Sequence, residues 1–236
     1  MVALSFDMNT LQVREHFRAQ VHEYAELMHR LIPFYETQSN IMLSLLPVER
    51  ASPLRVLDLG CGPGLMAVRV LAEFPQTRLT LVDLTPEMVD ECRLRLTEHD
   101  NVDYQVADFR TDDFGDGYDV ILASLSLHHL EVAERREFAR RAFRALVPGG
   151  RLISAEVILD ESPSVRELQY ELWRRFMTTR GEDGRIWYQK HLAKDHPVEI
   201  TPWVNALTAA GFRSAGCFWR YLNFAIMSAD RPGVGD

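Results

Sequence analysis

Asp58, Gly60, Gly62 and Gly64 lie in the stretch VLDLGCGPG, residues 56–64, where a short apolar run meets three glycines. A glycine turn between a strand and a helix lets a ligand come close to backbone N–H groups at a helix N-terminus. Asp83 closes the next apolar run, 25 residues beyond Asp58. At such a strand end a carboxylate can accept both hydroxyls of a ribose. Asp108 and Phe109 follow the third run and offer a carboxylate and a ring for the edge and face of an adenine. The dinucleotide fingerprint GxGxxG would require a glycine at 65, where Leu65 stands, which disfavours a nicotinamide oxidoreductase.

The elements that must position these groups alternate. LRVLDL (54–59), RLTLVDL (78–84), VDYQVAD (102–108), YDVILAS (118–124) and RLISAEVI (151–158) read as strands, the last introduced by the turn LVPGG. A helix is expected from Pro63 and another from Thr85-Pro86, with Thr as N-cap and Pro at the first helical position. Near-continuous apolar strands separated by helices predict an α/β fold, a doubly wound, Rossmann-like and mostly parallel sheet. Before it, Val13, Phe17, Val21, Tyr24, Met28 and Leu31 repeat at helical spacing up to Pro33, and a second helix is expected over about 34–46. Residues 1–50 are therefore expected to form an N-terminal helical cap and 51–236 the main domain, with 163–200 as a lid insertion. In the lid, Val165, Leu168, Leu172 and Phe176 mark a helix, and GEDGRIWYQKHLAKDHP (181–197) reads as a polar loop. TPWVNALTAAGF (201–212) predicts a helix capped by Thr201 and stopped by Gly211, and CFWRYLNFAIMSA (217–229) an antiparallel pair at one sheet edge.

Composition sets the class. The chain has 236 residues, 47% hydrophobic, with a formal net charge of −8, so it can bury a sizeable core and has no bulk affinity for phosphate backbones. The basic run RREFARRAFR (135–144) is expected to be a solvated helix face. Three widely spaced cysteines without CxxC form no disulfide framework and fit a reducing cytosol. The N-terminus lacks a secretory signal, and no window approaches the ~20 apolar residues of a membrane span. A cytoplasmic protein with neither nucleic acid nor membrane as partner is expected.

The series DLGCGPG, LVDLTPEM, VADFRTDD, YDVILASLSLHHL and LVPGG, spanning roughly residues 54–160, resembles the motifs of class I S-adenosylmethionine (SAM) dependent methyltransferases. The tail WVNALTAAGFRSAGCFWRYLNFAIMSA and the segment LIPFYE (31–36) resemble the branch that contains the carboxy-SAM synthases and related small-molecule methyltransferases. The resemblance implies that Gly60, Cys61 and Gly62 hold the amino-acid end of SAM, with Asp58 and Gly64 in the same turn. It implies that Asp83 binds the ribose with Leu84 alongside, that Asp108 and Phe109 take the adenine, that Ser124 lines the pocket and that Tyr35 closes it. Cys61 is read as a small filler of the turn, with no redox role.

In this fold the fourth strand ends beside the methyl group, so His128 is the candidate catalytic base, with His129 second; transfer from a sulfonium can also proceed by positioning alone. Tyr24, Trp187, Tyr188 and Arg220 are the candidate substrate residues. His22 and His29 share a helix face but find no further ligands at metal spacing, so no metal is expected. The expected reaction is methyl transfer to N, O or C of a small-molecule acceptor, leaving S-adenosylhomocysteine, with the cap as candidate homodimer surface. Two alternatives stay open. One is carboxy-SAM synthesis from SAM and prephenate, for which the family's arginine matches a position near Tyr188, with Arg185 nearest. The other is a non-catalytic SAM-binding regulator or partner subunit.

Overall fold

The computed structural model describes residues 23–47 and 53–235. Five apolar runs become parallel strands: β1 (Arg55–Leu59), β2 (Arg78–Asp83), β3 (Val102–Val106), β4 (Tyr118–Ser124) and β5 (Leu146–Leu159). They stand in the order β3-β2-β1-β4-β5, so the chain returns across β1 after β3. Leu57 is paired with Thr80 on one side and Ile121 on the other. This reversal leaves a crevice at the carboxyl ends of β1 and β4, where ligands bind in doubly wound sheets.

Strand periodicity sends successive side chains to opposite faces. On one face Leu57, Leu59, Ile121 and Ala123 pack with Phe138 and Ala142 of α5 (Val132–Ala145) and Trp203 and Leu207 of α8 (Ile200–Ala209). On the other, Val56, Val120 and Leu122 pack with Val70 of α3 (Leu65–Glu73), Cys92 of α4 (Pro86–Arg95) and Met42 of α2 (Tyr35–Ser44). Cap side chains thus share a core with the sheet. The first cap helix, α1, is described over 23–31; its expected start at 11, with Val13, Phe17, Val21 and His22, lies outside the described residues. Beyond β5, β8 (Phe224–Asp230) pairs antiparallel with it and carries the edge strand β7 (Arg213–Tyr221), as the tail predicts.

Several local expectations change. α3 starts at Leu65 rather than Pro63, because Gly64 caps it with φ +79°. LVPGG is the first part of β5: Leu146 pairs with Tyr118 before the register shifts. The polar loop of the lid contains α7 (Gly184–Lys194), since the Asp183 carboxylate accepts the first-turn amides of Arg185 and Ile186. Thr201 is inside α8, whose N-cap is Glu199, and its hydroxyl donates to Glu161 instead. On α6 (Pro163–Thr179) the buried residues are Tyr170, Trp173 and Met177, while Val165, Leu168 and Leu172 face outward. α6 is anchored by Trp173, whose Nε1 donates to the Leu31 carbonyl at 2.8 Å. The two-residue strand β6 (Val198–Glu199) pairs with β5 and returns the lid to the sheet.

The basic run is α5, but not wholly a solvated face. Arg135 is buried beside Glu156 at 4.0 Å and stacks over Trp203 at 5.4 Å. Burial pushes the Glu156 carboxyl up to about 7, and Arg135 limits that rise. Among the described residues no helix is long and apolar enough to cross a membrane.

Phe138 is 2% exposed and joins α5 to both Phe109 and Trp203. Phe138→Ala should therefore destabilise the protein by about 3–5 kcal/mol, read as a lower urea midpoint at unchanged slope.

Candidate active site

At the crevice a cavity of about 550 Å³ is lined from every strand end that the sequence singled out. β1 contributes Asp58 and the turn Gly60–Cys61–Gly62, β2 contributes Asp83 and Leu84, β3 leads into Asp108 and Phe109, and β4 ends in Ser124. The cap adds Tyr24 and Tyr35. Gly64 is the exception: it stands off the lining, where a side chain would meet Cys92 Sγ at 3.0 Å.

The glycine turn works differently from the sequence expectation. Gly60 and Cys61 donate their N–H groups to the Val82 carbonyl (2.8 and 3.1 Å), and Gly62 N–H donates to Asp83 Oδ2 (2.9 Å). The turn therefore offers room, not a nest of free donors. Gly60 has φ +69° and a Cβ there would lie 2.5 Å from that of Ser126; Gly62 has φ +53°, and its Cβ would meet only the Tyr24 hydroxyl, 3.9 Å away. The first-turn amides of α3, which have no intrahelical acceptors, remain available to an anionic group.

Beneath the turn Asp58 is 1% exposed, and neither carboxylate oxygen has a hydrogen-bond partner. Burial, with Asp83 nearby, pushes its pKa up to about 7. An uncompensated buried carboxylate facing a cavity calls for a cation. Asp83 has one oxygen bonded to Gly62 N–H and the other to Thr85 N–H, both at 2.9 Å, which leaves lone pairs for hydroxyl donors. Thr85 precedes α4 without a side-chain cap bond. Asp108 is held by Arg110 through bonds of 2.7–3.0 Å, which keep its carboxyl below the usual range. Phe109 meets Phe138 edge-on at 6.1 Å.

Cys61 and Cys92 place their sulfurs 3.7 Å apart, and Cys92 Sγ lies 3.0 Å from the Gly62 carbonyl it donates to. The hydrogen bond to Cys92, then burial, raises the Cys61 pKa, in keeping with a filler thiol. Burial raises the Tyr24 and Tyr35 hydroxyls, which stay protonated donors.

A family described as a methyltransferase domain matches residues 56–150. Over those residues, which include the strand ends of the cavity from β1 to β4, the chain carries a methyltransferase domain. The chain is also similar to carboxy-S-adenosyl-L-methionine synthases. That of Klebsiella pneumoniae is 26% identical over 222 residues, covering 89% of this chain and 88% of the relative. That of Chromohalobacter salexigens is 28% identical over 218 residues, covering 87% and 79%. Among solved structures, the apo SAM-dependent methyltransferase SibL aligns with TM-score 0.62 at 22% identity, over 84% of this chain and 55% of SibL. Human N-acetylserotonin methyltransferase with SAM aligns with TM-score 0.58 at 19% identity, over 93% and 55%. The chain spans about half the length of these two solved proteins. They share its fold.

The cavity fits SAM: the orphaned Asp58 carboxylate matches the α-ammonium group of its amino-acid end, and the Gly62 gap leaves room for that end.

The residues expected to be catalytic or to bind substrate depart further from expectation. His128 is buried, its pKa pushed down to about 3 by burial and then by His129, and it stands off the cavity lining. His129 lines the cavity in its place. Three residues per turn in the 3₁₀ segment Leu127–His129 set these neighbours facing different ways. His129 Nδ1 lies 3.2 Å from Asp195 Oδ1, and Asp195 Oδ2 lies 2.7 Å from His191 Nδ1, whose Nε2 is 3.1 Å from the Tyr170 hydroxyl. Burial works against the Asp195 carboxylate, but the bonds to His129 and His191 hold its pKa below the ordinary range.

Asp195, His191, Tyr170 and Tyr188 line a second cavity of about 640 Å³ under the lid. Trp187 lines neither cavity; its Nε1 donates to Glu182 at 2.9 Å. Arg220 also lines neither, being paired with Asp160 at 2.5 Å on the outer strand. Tyr24 approaches the glycine turn, its hydroxyl 3.9 Å from where a Cβ on Gly62 would stand. Sequence reasoning missed Met28, Met88, Arg110, Ser126 and Lys194, all of them lining. Ser126 was legible only as the second residue past a strand end; Lys194 sits on a helix read as loop. Leu125, between Ser124 and Ser126, has φ +56°, a strained conformation for leucine at the edge of the site.

SAM binding should weaken as pH falls through about 7, because protonating Asp58 removes the charge that matches the cofactor's cation. Titration calorimetry between about pH 5.5 and 7.5 should show an affinity loss of up to about tenfold per unit. Asp58→Asn should weaken binding about tenfold or more at neutral pH and flatten that dependence.

Proposed function

We propose that this methyltransferase moves the sulfonium methyl group of SAM to N, O or C of a small-molecule acceptor, releasing S-adenosylhomocysteine. The observation that carries the reading is the His129–Asp195 pair on the cofactor cavity, backed by His191 and Tyr170. When bound, SAM supplies an electrophilic methyl carbon on sulfur. Asp58 would balance the cofactor's α-ammonium group, Asp83 would accept from its ribose, and Phe109 with Asp108 would take its adenine. For that last contact Arg110 must share the Asp108 carboxylate. Tyr24, Met28 and Tyr35 cover the cavity from the cap and exclude water. His129 meets the proton-bearing atom of the acceptor, and Asp195 holds the imidazole and steadies positive charge upon it. The acceptor is proposed to enter from the lid side, where the second cavity shares Asp195 and His191 with this network.

Carboxy-SAM synthesis is the second reading, favoured by the similarity to the Klebsiella and Chromohalobacter synthases over most of the chain. It needs a cation for the extra carboxylate. Arg185 is exposed on α7 and lines neither cavity, whereas Lys194, at the end of the same helix, lines the cofactor cavity. Lys194 would have to serve.

Native mass spectrometry of the purified chain separates the readings. Co-purified SAM or S-adenosylhomocysteine supports methyl transfer, and a SAM heavier by one carboxylate group overturns it. With an acceptor found by screening against methyl-labelled SAM, His129→Ala should lower kcat by about 10²-fold while SAM affinity changes little.

A further inference from the structure

Two consecutive imidazoles and one carboxylate converge where the cofactor cavity meets the lid. His128 and His129 belong to the 3₁₀ turn after β4, with ring centroids 4.3 Å apart, and Asp195 caps the C-terminus of α7. One ligand-type atom from each lies within 4.8 Å of the others. Asp195 Oδ1 is 3.2 Å from His129 Nδ1 and its Oδ2 is 3.9 Å from His128 Nε2.

We propose that His128, His129 and Asp195 bind a divalent transition-metal ion of the zinc, cobalt or iron type, with open coordination positions toward the acceptor. Bonds of about 2.0–2.2 Å to one ion would set neighbouring ligand atoms roughly 3.0–3.5 Å apart, so side-chain shifts of about 1 Å close the set. Imidazole and carboxylate together suit such borderline ions, and two histidines with one carboxylate leave positions free.

Two further observations point to a ligand. His128 has no hydrogen bond to spend its ring on. Its Nδ1 is buried without a partner, and its Nε2 stops 3.9 Å from Asp195, beyond hydrogen-bond reach. The Nε2, turned toward Asp195 without bonding to it, is the nitrogen free to take an ion. Asp195 in turn is fixed from behind: His191 reaches its Oδ2 at 2.7 Å and Tyr170 holds His191 at 3.1 Å, both from buried positions. Outer hydrogen bonds that orient a ligating carboxylate are a regular part of metal sites.

His129 is 52% exposed in its side chain and lines the cofactor cavity, so the open face of the ion looks into the space where an acceptor must stand. An acceptor with an ionisable hydroxyl or enol would place its oxygen on the ion. With the ion bound, that contact replaces the direct meeting of His129 with the acceptor. The role in turnover rests on the methyl-transfer reading; the binding of the ion does not.

The test uses tag-free full-length protein stripped with chelator. Titration with Zn²⁺ by calorimetry should give one saturable site per chain, and Co²⁺ should produce the visible bands of a nitrogen- and oxygen-ligated ion. His129→Ala and Asp195→Asn should each raise the Zn²⁺ Kd at least about tenfold. Tyr170→Phe should raise it less. His129 is half exposed, so His129→Ala decides the matter if the Asp195 variant fails to fold. Absence of a one-to-one site, or equal Kd values in wild type and His129→Ala, overturns the proposal. SAM titration of the same samples is scored separately: SAM binding without metal sinks this inference alone, and metal without SAM sinks only the proposed function.

Discussion

A carboxylate with no hydrogen bond from the protein sits at the point where the strand order reverses. Burying Asp58 in that state is unfavourable, and its raised pKa records the penalty. The placement is imposed by the fold: Asp58 pairs with Leu81 on one side and Leu122 on the other, in the middle of a sheet covered on both faces. Protonation relieves it as pH falls through about 7, and a cationic ligand above the turn would relieve it at higher pH. The geometry around it serves that end. The turn carries no side chain facing the cavity at Gly62, and Asp83 both fixes the turn through Gly62 N–H and keeps lone pairs for the ligand.

This arrangement explains why a glycine-rich strand-to-helix turn need not be a phosphate cradle. In a dinucleotide site the backbone donors point at a pyrophosphate. Here those of Gly60, Cys61 and Gly62 are consumed by Val82 and Asp83, and two carboxylates dominate the local field. The site is therefore biased against anionic phosphates and toward a positively charged cofactor. The cysteine pair beneath it adds bulk without charge, because its thiols bond to each other and to the Gly62 carbonyl.

The cap and lid complete the enclosure by joining the core rather than hovering over it. Leu31 and Ile32 pack with Tyr170, Trp173 and Phe224, and Arg30 pairs with Glu182 at 2.7 Å, so cap and lid are tied together. The same packing carries Asp195 and His191 to the turn after β4. A lid helix in place of a loop gives that network a fixed register, since His191 and Asp195 are one helical turn apart.

The strand ends were legible because each carried its own local signature: an apolar run, then a turn residue, then a residue of distinct chemistry. That reading located Asp58, Asp83, Asp108, Phe109 and Ser124 on one cavity. It did less well where the outcome depends on the facing of one residue in an irregular turn. His128 and His129 are indistinguishable by spacing, and only the 3₁₀ turn buries the first and exposes the second. On α6 the stripe Val165, Leu168 and Leu172 marked the helix, but the face it buries is that of Tyr170, Trp173 and Met177. The pairing of His129 with Asp195 joins two elements through the fold, and no periodicity reports it. The amino-acid order by itself determined the alternating architecture and the groups at its strand ends, because short-range pattern dictates both. Tertiary structure alone decided which donors the glycine turn had left and which histidine reached the cavity, because these depend on partners brought from distant parts of the chain.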